Sequence, residues 1–250
     1  MIAASQHFLL RGTNPARRLF ITGTDTGVGK TRVTVALAAA LRRAGLRVAA
    51  MKPVETGCAT RDGALVPDDA GRLAAACSRP LDLDLVCPLR LAVPASPAAA
   101  AANAGITLDL ERLPRAADAL AAESDVLLIE GAGGLLVPVA PGVLMADLAR
   151  GLRAPLLIVA RASLGTVNHT LLTLEAARRR GLAVLGVVLN RVLVERGVDE
   201  ESNPSAIASL GDTPVLGTLP HRAGDPTPEE LALDAERHLD LPALLAALSR

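Results

Sequence analysis

Leu19-Phe20-Ile21-Thr22-Gly23-Thr24-Asp25-Thr26-Gly27-Val28-Gly29-Lys30-Thr31, continuing as RVTVALAAAL to Leu41, decides the fold of this chain. A short apolar run reads as a strand, Gly23 to Thr31 as a glycine-rich loop, and Val33, Leu37, Ala40 and Leu41 share one face of a following helix. In such a unit backbone N–H groups curl around phosphate oxygens, and the helix start adds its positive dipole end. Lys30 is then set against the outer phosphates and the Thr31 hydroxyl against Mg²⁺. The usual spacing wants glycine at position 24, which is Thr24; the leading glycine is Gly23, so the loop is one residue longer. A plain strand-turn-helix corner with a surface lysine is the simpler alternative. The strand before, the Gly-Lys-Thr end and the helix after favour a nucleotide triphosphate site.

Further strands and helices alternate outward from this unit. Arg47 to Met51 reads as a strand that delivers Lys52-Pro53-Val54-Glu55-Thr56-Gly57 to the edge where ligands collect in open α/β sheets. Pro67-Asp68-Asp69-Ala70 reads as the start of a helix from Asp69 to Cys77; capping explains one acid and leaves the other free for a metal. Pro94 and Pro97 suggest a rigid loop. Asp125 to Glu130 is a continuous apolar run, the mark of a strand buried on both faces. It ends in an acid placed where nucleotide enzymes hold Mg²⁺. For Gly131-Ala132-Gly133-Gly134 the plain reading is a tight turn into a hairpin-like Leu135 to Val139.

Pro155 to Ala160, Val184 to Leu189 and Pro214 to Leu219 are three more parallel-type strands. After the first, the Ser163-Leu164-Gly165-Thr166-Val167-Asn168 helix start is explained by capping or by anion binding at free N–H groups. After the second, Asn190 either reads a base or closes a turn. After the third, Pro220 to Pro226 forms a loop over the same edge. The expected architecture is a single-domain, three-layer α/β/α fold with a mostly parallel sheet, similar to phosphate-loop NTPases. It spans residues 18–250 and follows a disordered extension of residues 1–17.

Composition narrows the function classes. In 250 residues, half of them apolar, 26 acidic and 26 basic residues balance, without a long basic run. Nucleic acid and anionic membrane are therefore not the expected partners; a small molecule is. Three cysteines without a C-x-x-C pair argue against a disulfide framework and fit a reducing cytoplasm. No apolar run is long enough to cross a bilayer.

Taken together, the motifs resemble one family, the dethiobiotin synthetases. The likeness rests on Gly23 to Thr31, on Lys52 to Gly57, on Glu130 to Gly134, on Leu164 to His169, and on Asn190. The resemblance implies a homodimer with a seven-stranded sheet. It also implies conversion of 7,8-diaminononanoate, CO₂ and MgATP into dethiobiotin, ADP and phosphate through a carbamate and a carbamic-phosphoric anhydride. Carried over, Lys30 and Lys52 neutralise the γ-phosphate and carbamate, Thr26 lines that pocket, and Thr31, Asp69 and Glu130 hold Mg²⁺. Thr56 meets the carbamate or amine end. Gly165, Thr166, Val167 and Asn168 cradle the substrate's tail carboxylate across the dimer interface. Asn190 and Pro220 lie beside the adenine. Two departures stand out: Gly27 replaces a glutamate common in the family, which leaves base preference open, and Asp68 is an alternative to Asp69. A nucleotide-switch ATPase is the rival from another class, but Thr24, Asp25 and Thr26 stand where such proteins carry an early lysine.

Overall fold

The computed structural model describes residues 17–194 and 200–249. β1 (Arg17–Gly23) leads through the glycine-rich loop into α1 (Lys30–Arg43). β2 (Val48–Met51) is followed by β3 (Val54–Thr56), the hairpin of β4 (Ala59–Arg61) and β5 (Ala64–Val66), and α2 (Asp68–Ala76). Then come α3 (Leu83–Val86), β6 (Leu89–Leu91), α4 (Pro97–Ala104), α5 (Arg112–Ala122) and β7 (Val126–Gly134). The hairpin β8 (Pro138–Ala140) and β9 (Val143–Leu144) precedes α6 (Met145–Gly151), β10 (Leu156–Arg161), α7 (Thr166–Arg179) and β11 (Val184–Asn190). The chain finishes with α8 (Asn203–Gly211), β12 (Val215–Leu219), α9 (Pro228–His238) and α10 (Leu241–Ala247).

Six strands form one fully parallel sheet in the order β12-β11-β10-β1-β7-β2. Its central strand shows why both faces must be covered. Leu19 and Ile21 pack with α1, α2, α9 and α10, while Phe20, between them, packs with α3 to α7. Successive side chains of a strand point to opposite faces, so an unbroken apolar run needs a helical layer on each side. α8 joins the second layer through Ile207, which packs against Ile158 and Val187.

Among the described residues the main sheet has six strands, not the seven that the resemblance implies. Pro53 lies between β2 and β3, and a proline cannot donate to a ladder. The chain bends there, β3 leaves the main sheet, and it pairs in parallel with β6 as a separate two-stranded sheet. Other boundaries move as well. Arg17 is the first residue of β1, its N–H bonded to the Asp125 carbonyl at 3.1 Å, so the ordered strand includes a residue that the sequence assigns to the extension. The expectation of disorder for residues 1–16 lies outside the described residues. Pro97 does not belong to a rigid loop but opens α4, with the Ser96 hydroxyl accepting from the Ala99 N–H at 3.4 Å, as proline at a first helical position permits. Among the described residues no helix is long and apolar enough to cross a membrane.

Candidate active site

The glycine-rich loop folds as its sequence requires. Gly27 and Gly29 have φ of 74° and 90°, the left-handed region that glycine enters without strain. Gly29 is the N-cap of α1, which carries no acid in its first turn. Asp25 turns back on its own loop: its Oδ1 accepts from the Thr26 N–H at 2.7 Å, and its Oδ2 meets Arg161, at the end of β10, at 2.8 Å. Asn190, at the end of β11, donates from Nδ2 to the Val28 carbonyl at 3.0 Å. A Cβ on Gly29 would lie 2.0 Å from that same Nδ2. Asn190 therefore buttresses the phosphate loop. Its Oδ1 is buried without a partner and remains free to accept from a ligand.

Three strand ends bring the charged groups together. Lys52, one residue past β2, is buried; its Nζ lies 2.5 Å from Glu130 Oε1 and 2.8 Å from Asp69 Oδ2. The Thr31 hydroxyl donates to the same Glu130 oxygen at 2.9 Å. Glu130 is wholly buried in β7, and its second oxygen has no partner. Lys30 is buried beside them, its Nζ 3.3 Å from the Asp25 carbonyl.

The two amines are driven in opposite directions. Burial lowers Lys30 to about 8; Glu130 opposes this and the neighbouring Lys52 adds to it. Burial also works against Lys52, but the carboxylates of Glu130 and Asp69 outweigh it and hold that ammonium above the ordinary lysine value. Asp69 likewise loses solvation, yet Lys52 keeps its carboxyl below the ordinary aspartate value.

The two acids of α2 point in different directions. Asp69 faces Lys52, whereas Asp68 points outward to Arg72 at 3.5 Å and is highly exposed. Neither acid caps the helix. That task falls to Glu55, whose oxygens accept from the Asp69 and Ala70 N–H groups at 3.0 and 2.9 Å. Sequence reading missed Glu55 because its partner lies 14 residues away and a long-range cap has no spacing signature. The expected tight turn at Gly131 to Gly134 is also corrected: β7 runs on through Gly134, which pairs with Gly23. These glycines let the strand pass close to β1, since a Cβ on Gly131 would sit 2.8 Å from the Phe20 ring.

Other predicted residues lie on neighbouring elements. Thr56 ends β3 opposite Leu91. Gly165 is the N-cap of α7 with φ of 88°, and no side chain caps that helix, which removes the capping explanation of its polar start. Thr166 in its first turn is buried with an unpartnered hydroxyl. His169, Leu172 and Thr173 of α7 line a groove of about 420 Å³ shared with Thr24, Asp25 and Thr26. The Pro220 carbonyl accepts from Arg32 Nη2 at 2.8 Å. Among the described residues, no three His, Cys, Asp or Glu side chains form a metal cage. Two carboxylates and a hydroxyl suit Mg²⁺ instead, which takes few protein ligands and completes its shell with water and phosphate.

This arrangement has relatives. Residues 17–224 match a family described as AAA domain. The ATP-dependent dethiobiotin synthetase BioD of Anaeromyxobacter sp. (strain K) is 48% identical over 204 residues, 82% of this chain and 90% of that protein. Its counterpart from Thermodesulfovibrio yellowstonii is 39% identical over 235 residues, covering 91% and 98%. Among solved structures, FtsY from Mycoplasma mycoides shares the fold at 18% identity, with a TM-score of 0.51 over 95% of this chain and 68% of that one. With close to half of its residues shared along most of its length, and the phosphate loop, lysine loop and buried glutamate assembled in one place, the chain belongs to the ATP-dependent dethiobiotin synthetase family.

Proposed function

We propose that this protein closes the ureido ring of dethiobiotin in the biotin pathway, joining CO₂ to 7,8-diaminononanoate with ATP. The observation that carries this reading is the convergence of Lys52 and Thr31 on one buried carboxylate, Glu130, with the buried Lys30 within reach of its charge beside a phosphate loop. One amine of the substrate takes up CO₂ as a carbamate. The carbamate oxygen attacks the γ-phosphorus, and the bond to the ADP oxygen breaks. The second amine then attacks the carbamoyl carbon, inorganic phosphate leaves with the bonding electron pair, and the amine proton passes to solvent or phosphate.

The chain's own groups serve that sequence through charge and position. Lys30 and Lys52 hold negative charge that builds on the transferring phosphoryl group and the carbamate, an effect of the kind that commonly dominates catalysis. Thr26 lines the same end of the loop, and Thr56 faces the carbamate or amine. Asn190 Oδ1, buried and unpartnered, is the acceptor offered to the base, with Pro220 beside it. Thr31, Asp69 and Glu130 are the residues that would hold Mg²⁺. Asp69 and Glu130 already pair with one cation, the Lys52 ammonium, Thr31 donates to the same Glu130 oxygen, and the orphaned second Glu130 oxygen supports the fit. Bound there, the metal would neutralise charge on the nucleotide phosphates.

The tail carboxylate is read as lying at the α7 start, Gly165 to Asn168, across a homodimer interface. Support comes from the apolar side chains flanking that groove: Leu164 is 87% exposed, Leu172 56% and Leu136 47%. Such side chains are commonly covered when subunits pair. Three buried free cysteines agree with a cytoplasmic location. The direct test is to incubate the protein with diaminononanoate, bicarbonate and MgATP and to look for dethiobiotin by mass. ATP turnover that ignores the diamine, with no product, would replace this reading with a nucleotide switch.

A further inference from the structure

Of the 26 basic residues in the sequence, all but Lys30 and Lys52 are arginine, and both lysines stand at the site. At position 52 that choice has a physical meaning. A guanidinium is a broad fork, whereas an ammonium is a compact point charge on a flexible stem, close in character to a bare cation. The backbone of Lys52 is fixed: its N–H donates to the Val86 carbonyl at 2.7 Å, and Pro53 follows. Only the stem is left to move.

That stem places Nζ 2.5 Å from Glu130 Oε1 and 2.8 Å from Asp69 Oδ2, while the Thr31 hydroxyl donates to the same Glu130 oxygen at 2.9 Å. These are the three residues read above as holding Mg²⁺, which takes oxygens at about 2.0–2.1 Å. An ion at that distance from Glu130 Oε1 and Asp69 Oδ2 falls where the ammonium stands. Sharing fails on charge as well. With Lys30 close by, two carboxylates would face two ammonium groups and a divalent ion in a buried place, where like charges are poorly screened.

We infer that Lys52 is a stand-in for the metal, bound to Glu130 and Asp69 until a divalent ion takes those oxygens, and that this exchange frees its ammonium for the carbamate. Metal loading then regulates the site. Until the exchange, the amine that neutralises the carbamate is held by two acids, so metal binding precedes its use. The inference rests on the reading of Thr31, Asp69 and Glu130 as the metal residues given above.

Mn²⁺, followed through the paramagnetic resonance of the free ion, is a probe that needs no turnover. Without nucleotide, apparent metal affinity falls by the fraction of molecules whose oxygens are open, so Lys52→Met should bind Mn²⁺ about tenfold more tightly than the native protein, or better. Lys30→Met is the control for simple repulsion. It removes an equal charge from the site, but Lys30 bonds to the Asp25 carbonyl instead of to either acid, so Mn²⁺ affinity should change by less than about threefold. A second measurement uses native protein and does not depend on either variant folding. With ¹⁵N at its two lysine amines, the Lys52 ammonium should exchange protons slowly with solvent in ADP and chelator, and about tenfold faster once Mg²⁺ is added. Mn²⁺ affinity of Lys52→Met that is weaker than native or within about twofold of it overturns the inference. So does an equal gain in both variants, or a Lys52 ammonium still protected with Mg²⁺ bound. Native protein that binds no Mn²⁺ even with ADP overturns the reading of the metal residues as well, so the two failures are told apart.

Discussion

Replacing Lys52 with methionine removes the one cation that, among the described residues, pairs with Glu130, while keeping most of the stem volume. The carboxylate left behind is wholly buried, has one oxygen without any partner, and loses a contact of 2.5 Å from the other. Breaking a buried ion pair by deleting one member costs about 3–5 kcal/mol, because the surviving charge stays desolvated. In a domain of this length each kcal/mol moves the melting temperature by about 2–4 °C, so Lys52→Met should melt about 6–20 °C lower. Thermal and urea unfolding at neutral pH, with chelator and without nucleotide, measure this. The companion variant Glu130→Gln separates lost attraction from stranded charge. In the double variant the carboxylate is gone, and at least half of the Lys52→Met loss should return, with a coupling of about 1–3 kcal/mol. A Lys52→Met protein within 1 kcal/mol of the native one, or losses that simply add, would mean that the ammonium does not hold this carboxylate.

Three further outcomes are expected. With Lys30 lowered to about 8 by burial, the empty site holds a half-neutral amine near that pH, and phosphate should restore its charge. MgADP binding should therefore take up about half a proton at pH 8, more at pH 9 and almost none at pH 6.5, read from binding enthalpies in buffers of different ionisation heat. For the empty protein the sign is that stability from this group rises from about pH 8 towards the ordinary lysine value, where the unfolded chain binds more protons. Glu55→Ala uncaps α2 and frees Asp69 to turn. It should cost about 1 kcal/mol of stability and about 10- to 100-fold in Mg²⁺ affinity, measured by metal titration of nucleotide binding, and unchanged affinity would refute the link. Cys77 and Cys87, buried and raised to about 12, should resist iodoacetamide at pH 8 in the native protein and react once it is unfolded, as mass spectrometry would read.

The strands of the main sheet were legible because most are short apolar runs buried on both faces, and their tips carry Lys52, Glu130 and Asn190 to one edge. Local pattern could not show where pairing stops. Pro53 was visible, but its effect on sheet membership depends on β6, more than 30 residues later. The Asp68 and Asp69 choice needed the rotation of α2, which Glu55 fixes from another element. α6 and α8 have no strong apolar stripe in sequence and form by packing against neighbours already in place.

The contact between Gly29 and Asn190 has a consequence for anyone who wishes to retune base selectivity. These residues lie far apart in the sequence, yet the amide fills the space a single methyl group would need, 2.0 Å from its carbon. Enlarging or removing the side chain at 190 therefore reshapes the turn that grasps phosphate, so a library varied at the base pocket alone would mostly report damage to grip rather than changes of taste.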